Sequence, residues 1–506
     1  MTSLPTEKGD SAGSVSESGN SDESDTALFK PIMAVINFTE LAATALRLRQ
    51  EQFAAKAPTS STNPGDSLTC DIQRPTEFGS SNMVYTMKFS DGVEWIARVP
   101  GNGVNSFDDV ELIMFKNRIL TTGLLRLATS IPIPEIFGFE TGTDNPVGVP
   151  YTLEDFAQGR KLSDAWIDKD WSSEEKRTRT IRDIAKHMSE LHRLEFDKIG
   201  CIDFDTDGTN FLKVGPLLSR CYDPEKFEPT FGYASESGPW NDTRSYSLDV
   251  CEKSQSAEDK LDLRSGDRKL LSLAIDSIPR SLDHEQAFAL GHSDLNYQNI
   301  FVNDDGDVTA IIDWDGVCIE TRASALARYP SWITRDWDPV MYDYGDDEEG
   351  ERKEDSPAQL LGYRRAYAAS MAELRLPEAK YSTDDTAFST ILEAIGIAAS
   401  QEMNRPWILM WLLWWAFQGK PPFSLNRFSY EYRRGTADEM VDAAAEAFSK
   451  MWHSEELDCA AYQENYLEFQ KWIMSYPDSH LMKSEDGQSS LWGENSTTWH
   501  HQMLEC

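Results

Sequence analysis

The apolar positions of this chain change period along its length. Two apolar-rich runs, "NMVYTMKF" (82–89) and "VEWIARV" (93–99), flank "SDG", whose Asp91-Gly92 suits a tight hairpin turn. On the second run Val93, Trp95, Ala97 and Val99 share one face and Glu94, Ile96 and Arg98 the other, the period of a half-buried strand. Residues 107–128 read as helix. In "SIPIPEIFGFE" (130–140) Pro132 and Pro134 exclude helix and return the chain to an extended course, and "VPYTLEDF" (149–156) is a further strand. From about Ser173 the period lengthens: Ile181, Ile184, Met188 and Leu191 keep the three-four spacing of a buried helical stripe, with His192 beside it as a packed structural histidine. A helical pattern also covers Ile32 to Phe53. "PWILMWLLWWAF" (406–417) is too short to span a bilayer and reads as a buried helix. The prediction is an α+β protein in which a small antiparallel sheet with one intervening helix precedes a larger, mostly helical part.

The polar stretches set the boundaries. Residues 1–27 are rich in Ser, Gly, Asp and Glu with almost nothing to bury, and are expected to be disordered. A helical segment and linker occupy 28–67, a small lobe 68–156, a large lobe 157–480 and a C-terminal tail 481–506. Within the large lobe, 203–280 reads as an irregular, polar insertion. The stretch 336–355, with "DDEEGERKED", reads as a solvated loop, since its carboxylates lack the spacing and turn glycine of a calcium loop.

Composition adds limits on partners. The chain has 506 residues, 40% hydrophobic and 11% aromatic, enough for a sizeable core. Its net charge of -37, from 85 acidic and 48 basic residues, argues against nucleic acid or an anionic membrane as partner and suits a neutral or cationic small substrate. Seven cysteines without CxxC or zinc-site spacing read as free thiols in a reducing compartment. The N-terminus lacks both a basic-then-apolar leader and the arginines of a transit peptide, so a cytoplasmic location is expected.

One stretch concentrates chemistry: "GHSDLNYQNIFVNDDGDVTAIIDWDG" (291–316). "IFVN" (300–303) and "VTAII" (308–312) are strand-compatible runs joined by "DDGD". If 303 pairs with 308, then 299 lies opposite 312, which brings Asn299 beside Asp313 at the open end, with Asp294 in the loop that feeds the strand. An amide oxygen beside a carboxylate is a hard-oxygen pair suited to Mg²⁺, which fills its octahedron with water and substrate phosphates. A neighbouring aspartate that orients a hydroxyl in line with a phosphate completes the division of labour that phosphoryl transfer requires.

The spacing His292-x-Asp294-x4-Asn299, followed by a hairpin ending in Asp313, resembles the catalytic loop and metal-binding segment of the protein-kinase-like superfamily. The wording is most similar to the aminoglycoside phosphotransferase and choline kinase group, in particular its large fungal phosphotransferase branch. "FGSSNMVYTMKFSDGVEWIARVP", "SIPIPEI", "NPVGVPYTLEDFAQGRKLSDAW" and "LHRLEFDKIG" follow in the order of that branch, over roughly residues 70–340. The resemblance implies a two-lobed kinase-like fold with ATP and Mg²⁺ held between the lobes, and transfer of a γ-phosphate to a small-molecule hydroxyl. It implies Asp294 as catalytic aspartate, Asn299 and Asp313 as Mg²⁺ ligands, and His292 as a brace for the loop. The turn Gly79-Ser80-Ser81-Asn82 would cover the phosphates, and the backbone from Glu154 through Asp155 to Phe156 would meet the adenine. Arg98 stands where relatives place a phosphate-holding lysine, with Asp109 or Glu111 as its acidic partner. Asp315 either reaches the metal or points to solvent. The loop reads H-S-D where the group has H-G-D, and Gly79 is the single glycine of its phosphate turn. These departures leave a second reading, a pseudokinase or ligand-binding protein of the same fold. The insertion and the helices after about 385 are expected to shape the acceptor pocket.

Overall fold

A computed structural model describes residues 29–56, 68–73, 77–79, 81–103, 109–204, 211–221, 233–254, 265–283, 288–337, 342, 354–381, 388–400 and 404–452. The chain divides into two compact units: Met1–Phe107, Phe137–Glu154 and Tyr222–Gly232 form the first, and Asp108–Ile136, Asp155–Cys221 and Tyr233–Cys506 the second. The expected tails, 1–27 and 481–506, lie outside the described residues.

The smaller unit contains helix α1 (Phe38–Lys56) and is built on a sheet of β1 (Cys70–Ile72), β2 (Glu77–Phe78), β3 (Asn82–Phe89), β4 (Glu94–Pro100), β5 (Ile136–Glu140) and β6 (Tyr151–Asp155). Its order is β1-β3-β4-β6-β5, with β2 also on β3. The hairpin read from the sequence is present. β3 and β4 pair antiparallel from Asn82↔Pro100 to Lys88↔Glu94, and Gly92 supplies the positive φ (84°) of the turn. Alternation decides the faces: Met83, Tyr85, Met87 and Phe89 of β3 and Trp95, Ala97 and Val99 of β4 are buried. They close a core with Leu41 and Ala45 of α1 and with Tyr151 and Leu153 of β6. Arg49 of α1 pairs with Asp91 at 2.8 Å, fixing the helix to the hairpin turn.

The larger unit contains α2 (Asp109–Ala128). It continues with β7 (Arg160–Lys161), α3 (Leu162–Ile167) and α4 (Glu174–Ser189). The Ser173 side chain caps α4 by accepting from the Lys176 N–H, and Ile181, Ile184 and Met188 are its buried stripe. Leu191 belongs to the 3-10 turn Glu190–Arg193 that follows.

The described residues of 203–280 form strands and helices, where the polarity of the segment reads as irregular. β8 (Cys201–Phe204) pairs with β9 (Phe211–Gly215), β10 (Leu217–Cys221) with β11 (Tyr233–Ser237), and helices α5 (Thr243–Lys253) and α6 (Ser265–Ser277) follow. The reason lies in α6, where Leu270, Leu271, Ala274 and Ile275 are fully buried. A short apolar stripe suffices when neighbours cover it, although the average of the segment is polar.

Next come β12 (Phe288–Gly291), β13 (Ile300–Val302), β14 (Val308–Ile311), β15 (Cys318–Thr321) and α7 (Arg322–Ala327). The chain then forms α8 (Pro357–Glu373), α9 (Phe388–Ser400), α10 (Arg405–Ala416), α11 (Leu425–Arg433) and α12 (Asp438–Lys450). The tryptophan-rich run is α10, and Trp411, Trp414 and Trp415 are buried in a core shared with α6, α9, α11 and α12. No helix among the described residues is long and apolar enough to cross a membrane. Most of the acidic stretch 336–355 lies outside the described residues. At its end Asp355 is drawn inward by Arg177 (2.6 Å) and by Trp166 Nε1 (2.7 Å). The architecture is thus α+β, an antiparallel-sheet unit and a helix-rich one.

Candidate active site

The hairpin β13–β14 positions the chemistry. Ile300 lies opposite Ile311 and Phe301 opposite Ala310, and the Ile312 N–H donates to the Asn299 carbonyl at 2.8 Å. At the closed end the expected 303–308 pair is replaced by Val302↔Val308, after a register shift between Phe301 and Val302. The cause is the Asn303 side chain, whose Oδ1 accepts from the N–H groups of Asp305 and Asp307, both at 2.9 Å, and tightens the turn. That closed end is tied to the region of α4. Trp171 Nε1 donates to the Asn303 carbonyl (3.1 Å), Thr180 Oγ1 to the Gly306 carbonyl (2.7 Å), and the Val308 N–H to Asp183 Oδ2 (2.9 Å).

At the open end the side chains of the loop and of the strand ends converge. His292 is buried with its Nε2 2.9 Å from the Ile312 carbonyl, while its Nδ1 accepts the Asp294 N–H at 3.1 Å. These partners fix a neutral ring with its proton on Nε2, and burial holds its pKa below the ordinary histidine value. The ring meets Trp314 edge-on, with centroids 4.6 Å apart. Asn299 is also buried. Its Nδ2 donates to Asp294 Oδ2 (2.8 Å) and to the Asp294 carbonyl (3.0 Å), and Gln298 Nε2 adds a bond to the same carboxylate (3.3 Å).

Two observations mark the pair of aspartates. Asp313 has φ of 63°, a left-handed conformation that costs a non-glycine residue about 1–2 kcal/mol and persists only where its surroundings impose it. The Asp294 carboxyl is pushed up to about 6, first by burial and then by the like charge of Asp313, against the hydrogen bonds from Asn299 and Gln298. Because the Asn299 nitrogen is committed to Asp294, its oxygen faces elsewhere. An amide oxygen and two close carboxylates are the hard-donor chemistry that Mg²⁺ takes, so these residues fit such a cation. Among the described residues no group of three or more His, Cys, Asp or Glu is placed to hold a metal ion.

Asp315 is neither bare nor turned to open solvent: Arg118 of α2 pairs with its Oδ1 at 3.2 Å, and its carbonyl accepts the Ser293 hydroxyl at 2.6 Å. His292, Asp294, Asn299, Asp313 and Asp315 are therefore together in the larger unit. Gly79, Ser81, Asn82, Arg98 and Glu154 lie in the smaller one. There the Gly79 N–H donates to the Asn82 carbonyl (2.9 Å) and the Gly101 N–H to the Ser81 carbonyl (2.9 Å), while Ser80 lies outside the described residues. Arg98 is half-buried opposite Val84, on the face of β4 away from Trp95. Glu154 is buried and accepts the Thr152 hydroxyl. Asp155 and Phe156 fall in the larger unit, with the Asp155 N–H on the Glu135 carbonyl (2.8 Å) and the Phe156 carbonyl accepting Gln158 Nε2 (3.0 Å). Of the two candidate acids, Asp109 opens α2, its side chain outside the description, and Glu111 is buried on the same helix.

Sequence reasoning missed Gln298, Arg118 and a charged group behind the loop: Arg328, Glu320 and Glu393. The available signal was a lone arginine inside the otherwise apolar "ASALARYPSW".

Comparison with known proteins supplies the context. A protein of Eremothecium gossypii called altered inheritance of mitochondria protein 9, mitochondrial, is 22% identical over 328 residues, 54% of this chain and 52% of that one. Its Kluyveromyces lactis counterpart is 22% identical over 372 residues, 62% and 59% of the two chains. The chain thus spans somewhat over half the length of the curated relatives it matches. These relatives are named as mitochondrial, and against them the cytoplasmic location expected from the N-terminal composition does not stand. That expectation rested on the residue types of a short segment, which carry no address by themselves. Among solved structures, a putative aminoglycoside phosphotransferase of Ralstonia eutropha is 12% identical with a TM-score of 0.39, covering 80% of this chain and 98% of its own. A thermostable mutant of aminoglycoside phosphotransferase APH(4)-Ia, solved with AMP-PNP and hygromycin B, is 14% identical with a TM-score of 0.36, covering 75% and 94%. The family model described as the phosphotransferase enzyme family matches residues 73–376, more than half of the chain and all of the hairpin and its loop, and the chain belongs to that family.

Proposed function

We propose that this protein transfers the γ-phosphate of ATP to a hydroxyl of a small molecule. The observation that carries the reading is the Asp294–Asn299 pair beside a strained Asp313. One amide nitrogen fixes the carboxylate that would face the acceptor, which leaves the amide oxygen for a cation. Family membership supports it. Asn299 and Asp313 would hold Mg²⁺, which when bound neutralises phosphate charge. Asp294, with its carboxyl near 6, is largely ionised at neutral pH and can accept the acceptor's hydroxyl proton. Its main task is to orient that hydroxyl, because the phosphoryl transition state is loose and asks little of a base. His292 holds the Asp294 peptide through Nδ1. The turn 79–82, Arg98 and the backbone of 154–156 are the residues proposed to meet the nucleotide. Arg98 keeps the charge of a lysine there but with the fixed fork of a guanidinium.

The test is an ATP-consumption screen over hydroxylated metabolites with Asp294→Asn as the blank. Full turnover of an identified acceptor by that variant would sink the reading. Arg98 and the single Gly79 favour a second reading, a ligand-binding protein of this fold without phosphotransfer. It would show a Mg²⁺-ATP thermal shift with no ATP consumed on any acceptor.

A further inference from the structure

Behind the loop that carries Asp294 lies a charged group that the hairpin does not explain. Arg328, at the end of α7, donates from Nη2 to Glu320 Oε2 at 2.8 Å and from Nη1 to the His292 carbonyl at 3.4 Å. Its Nε is buried, makes no hydrogen bond, and lies 3.8 Å from Glu393 Oε1. Glu320 stands on β15 opposite Ala289 of β12, and Glu393 stands on α9, which packs against α7. The Glu320 carboxylate lies over the backbone of Gly291: a Cβ there would fall 2.0 Å from its Oε1. Only a glycine lets the strand that delivers His292 pass so close to that carboxylate.

This arrangement is expensive to bury. Burial pushes both glutamate carboxyls up while the arginine between them pulls them back. Buried ion groups of this kind are often matched in stability by apolar side chains of similar volume, so stability alone does not account for it. What an apolar replacement cannot supply is a donor on the His292 carbonyl. That carbonyl belongs to the residue whose ring accepts the Asp294 N–H, so a donor on it fixes the peptide on which Asp294 depends. Glu393 also lies beyond residue 376, where the family match ends.

We propose that Arg328, held between Glu320 and Glu393, is a positioning residue for phosphoryl transfer that fixes the His292 peptide and thereby couples α9 to the loop bearing Asp294. This rests on the role given to Asp294 above. Arg328→Lys keeps the charge but loses the planar fork that aims Nη1 at the His292 carbonyl and Nη2 at Glu320 in fixed directions. Three measurements on the full chain test it: melting with and without Mg²⁺-ATP, hydrogen–deuterium exchange of the Asp294 amide, and steady-state ATP turnover on the acceptor found by the screen, or on water. The expected result is an undiminished Mg²⁺-ATP shift with Asp294 exchange about tenfold faster. The kcat is expected to fall about tenfold or more while KM for ATP is unchanged. Unchanged exchange overturns the proposal, and so does faster exchange with an unchanged kcat. Should Arg328→Lys fail to fold, Glu393→Gln leaves the arginine in place and is read against the same outcomes. A wild type that consumes no ATP while the variant still exchanges faster would overturn the phosphotransfer reading, and the positioning role of Arg328 in it, leaving only the contact to the loop.

Discussion

Replacing Asp294 by asparagine should make the nucleotide-free protein more stable, and increasingly so as pH rises. The carboxyl, ordinarily near 3.8, sits at about 6 in the folded chain because burial and then Asp313 disfavour its charge. A carboxyl raised on folding contributes its stability below the unfolded value and loses it as pH climbs through the folded one. At about 1.4 kcal/mol per pH unit, the loss amounts to roughly 1 kcal/mol at pH 4.5 and about 3 kcal/mol at pH 7.5. Asparagine escapes that loss. It gives up part of the acceptance from Asn299 Nδ2 and Gln298 Nε2, worth about 1 kcal/mol. The net expectation is no gain at pH 4.5 and a gain of about 2 kcal/mol at pH 7.5. Urea unfolding followed by tryptophan fluorescence at the two pH values measures both numbers. Saturating Mg²⁺-ATP should shrink the gain at pH 7.5, since a cation held by Asn299 and Asp313 would offset the Asp313 charge that raises the Asp294 carboxyl. A difference between wild type and Asp294→Asn that does not change with pH would refute the electrostatic account.

Other substitutions probe the backbone and the second charged pair. Asp313→Gly should be about 1 kcal/mol more stable than Asp313→Ala in thermal melts, because only glycine occupies φ near 63° without strain, while both lose the Mg²⁺-ATP shift. Gly291→Ala should cost about 2 kcal/mol or more in urea unfolding, since Glu320 must vacate its place beside Arg328. Asp336→Asn breaks a buried bidentate pair with Arg364, at 2.6 and 2.9 Å, and should lower stability by about 3–5 kcal/mol. Ser356→Ala removes the capping box of α8, and its cost of about 1 kcal/mol is read in the same way.

Local pattern made much of this molecule legible in advance. Alternation alone assigned the faces of β4, and counting back from the turn placed Asn299 opposite Ile312. The same counting failed at the turn itself, because Asn303 uses its side chain to cap the backbone and removes one residue from the ladder. Long-range contacts were the other blind spot. That Arg118 of α2 would claim Asp315, or that Glu393 would reach Arg328 across more than sixty positions, has no trace in periodicity. The polarity of 203–280 misled for a related reason: α6 needs only one short stripe, and that stripe has meaning only against α9, α10 and α12.

The tethering of the hairpin's closed end has a mechanical consequence. A strand pair that slips by one residue turns every side chain to the opposite face, which here would part Asn299 from Asp313. Trp171, Thr180 and Asp183 hold the turn at three successive points, so it works as a clamp on the register rather than as a free tip. Surface turns are ordinarily where a chain best tolerates an extra residue. In this hairpin, an insertion between Asn303 and Val308 would be felt at the opposite end, where the carboxylates meet.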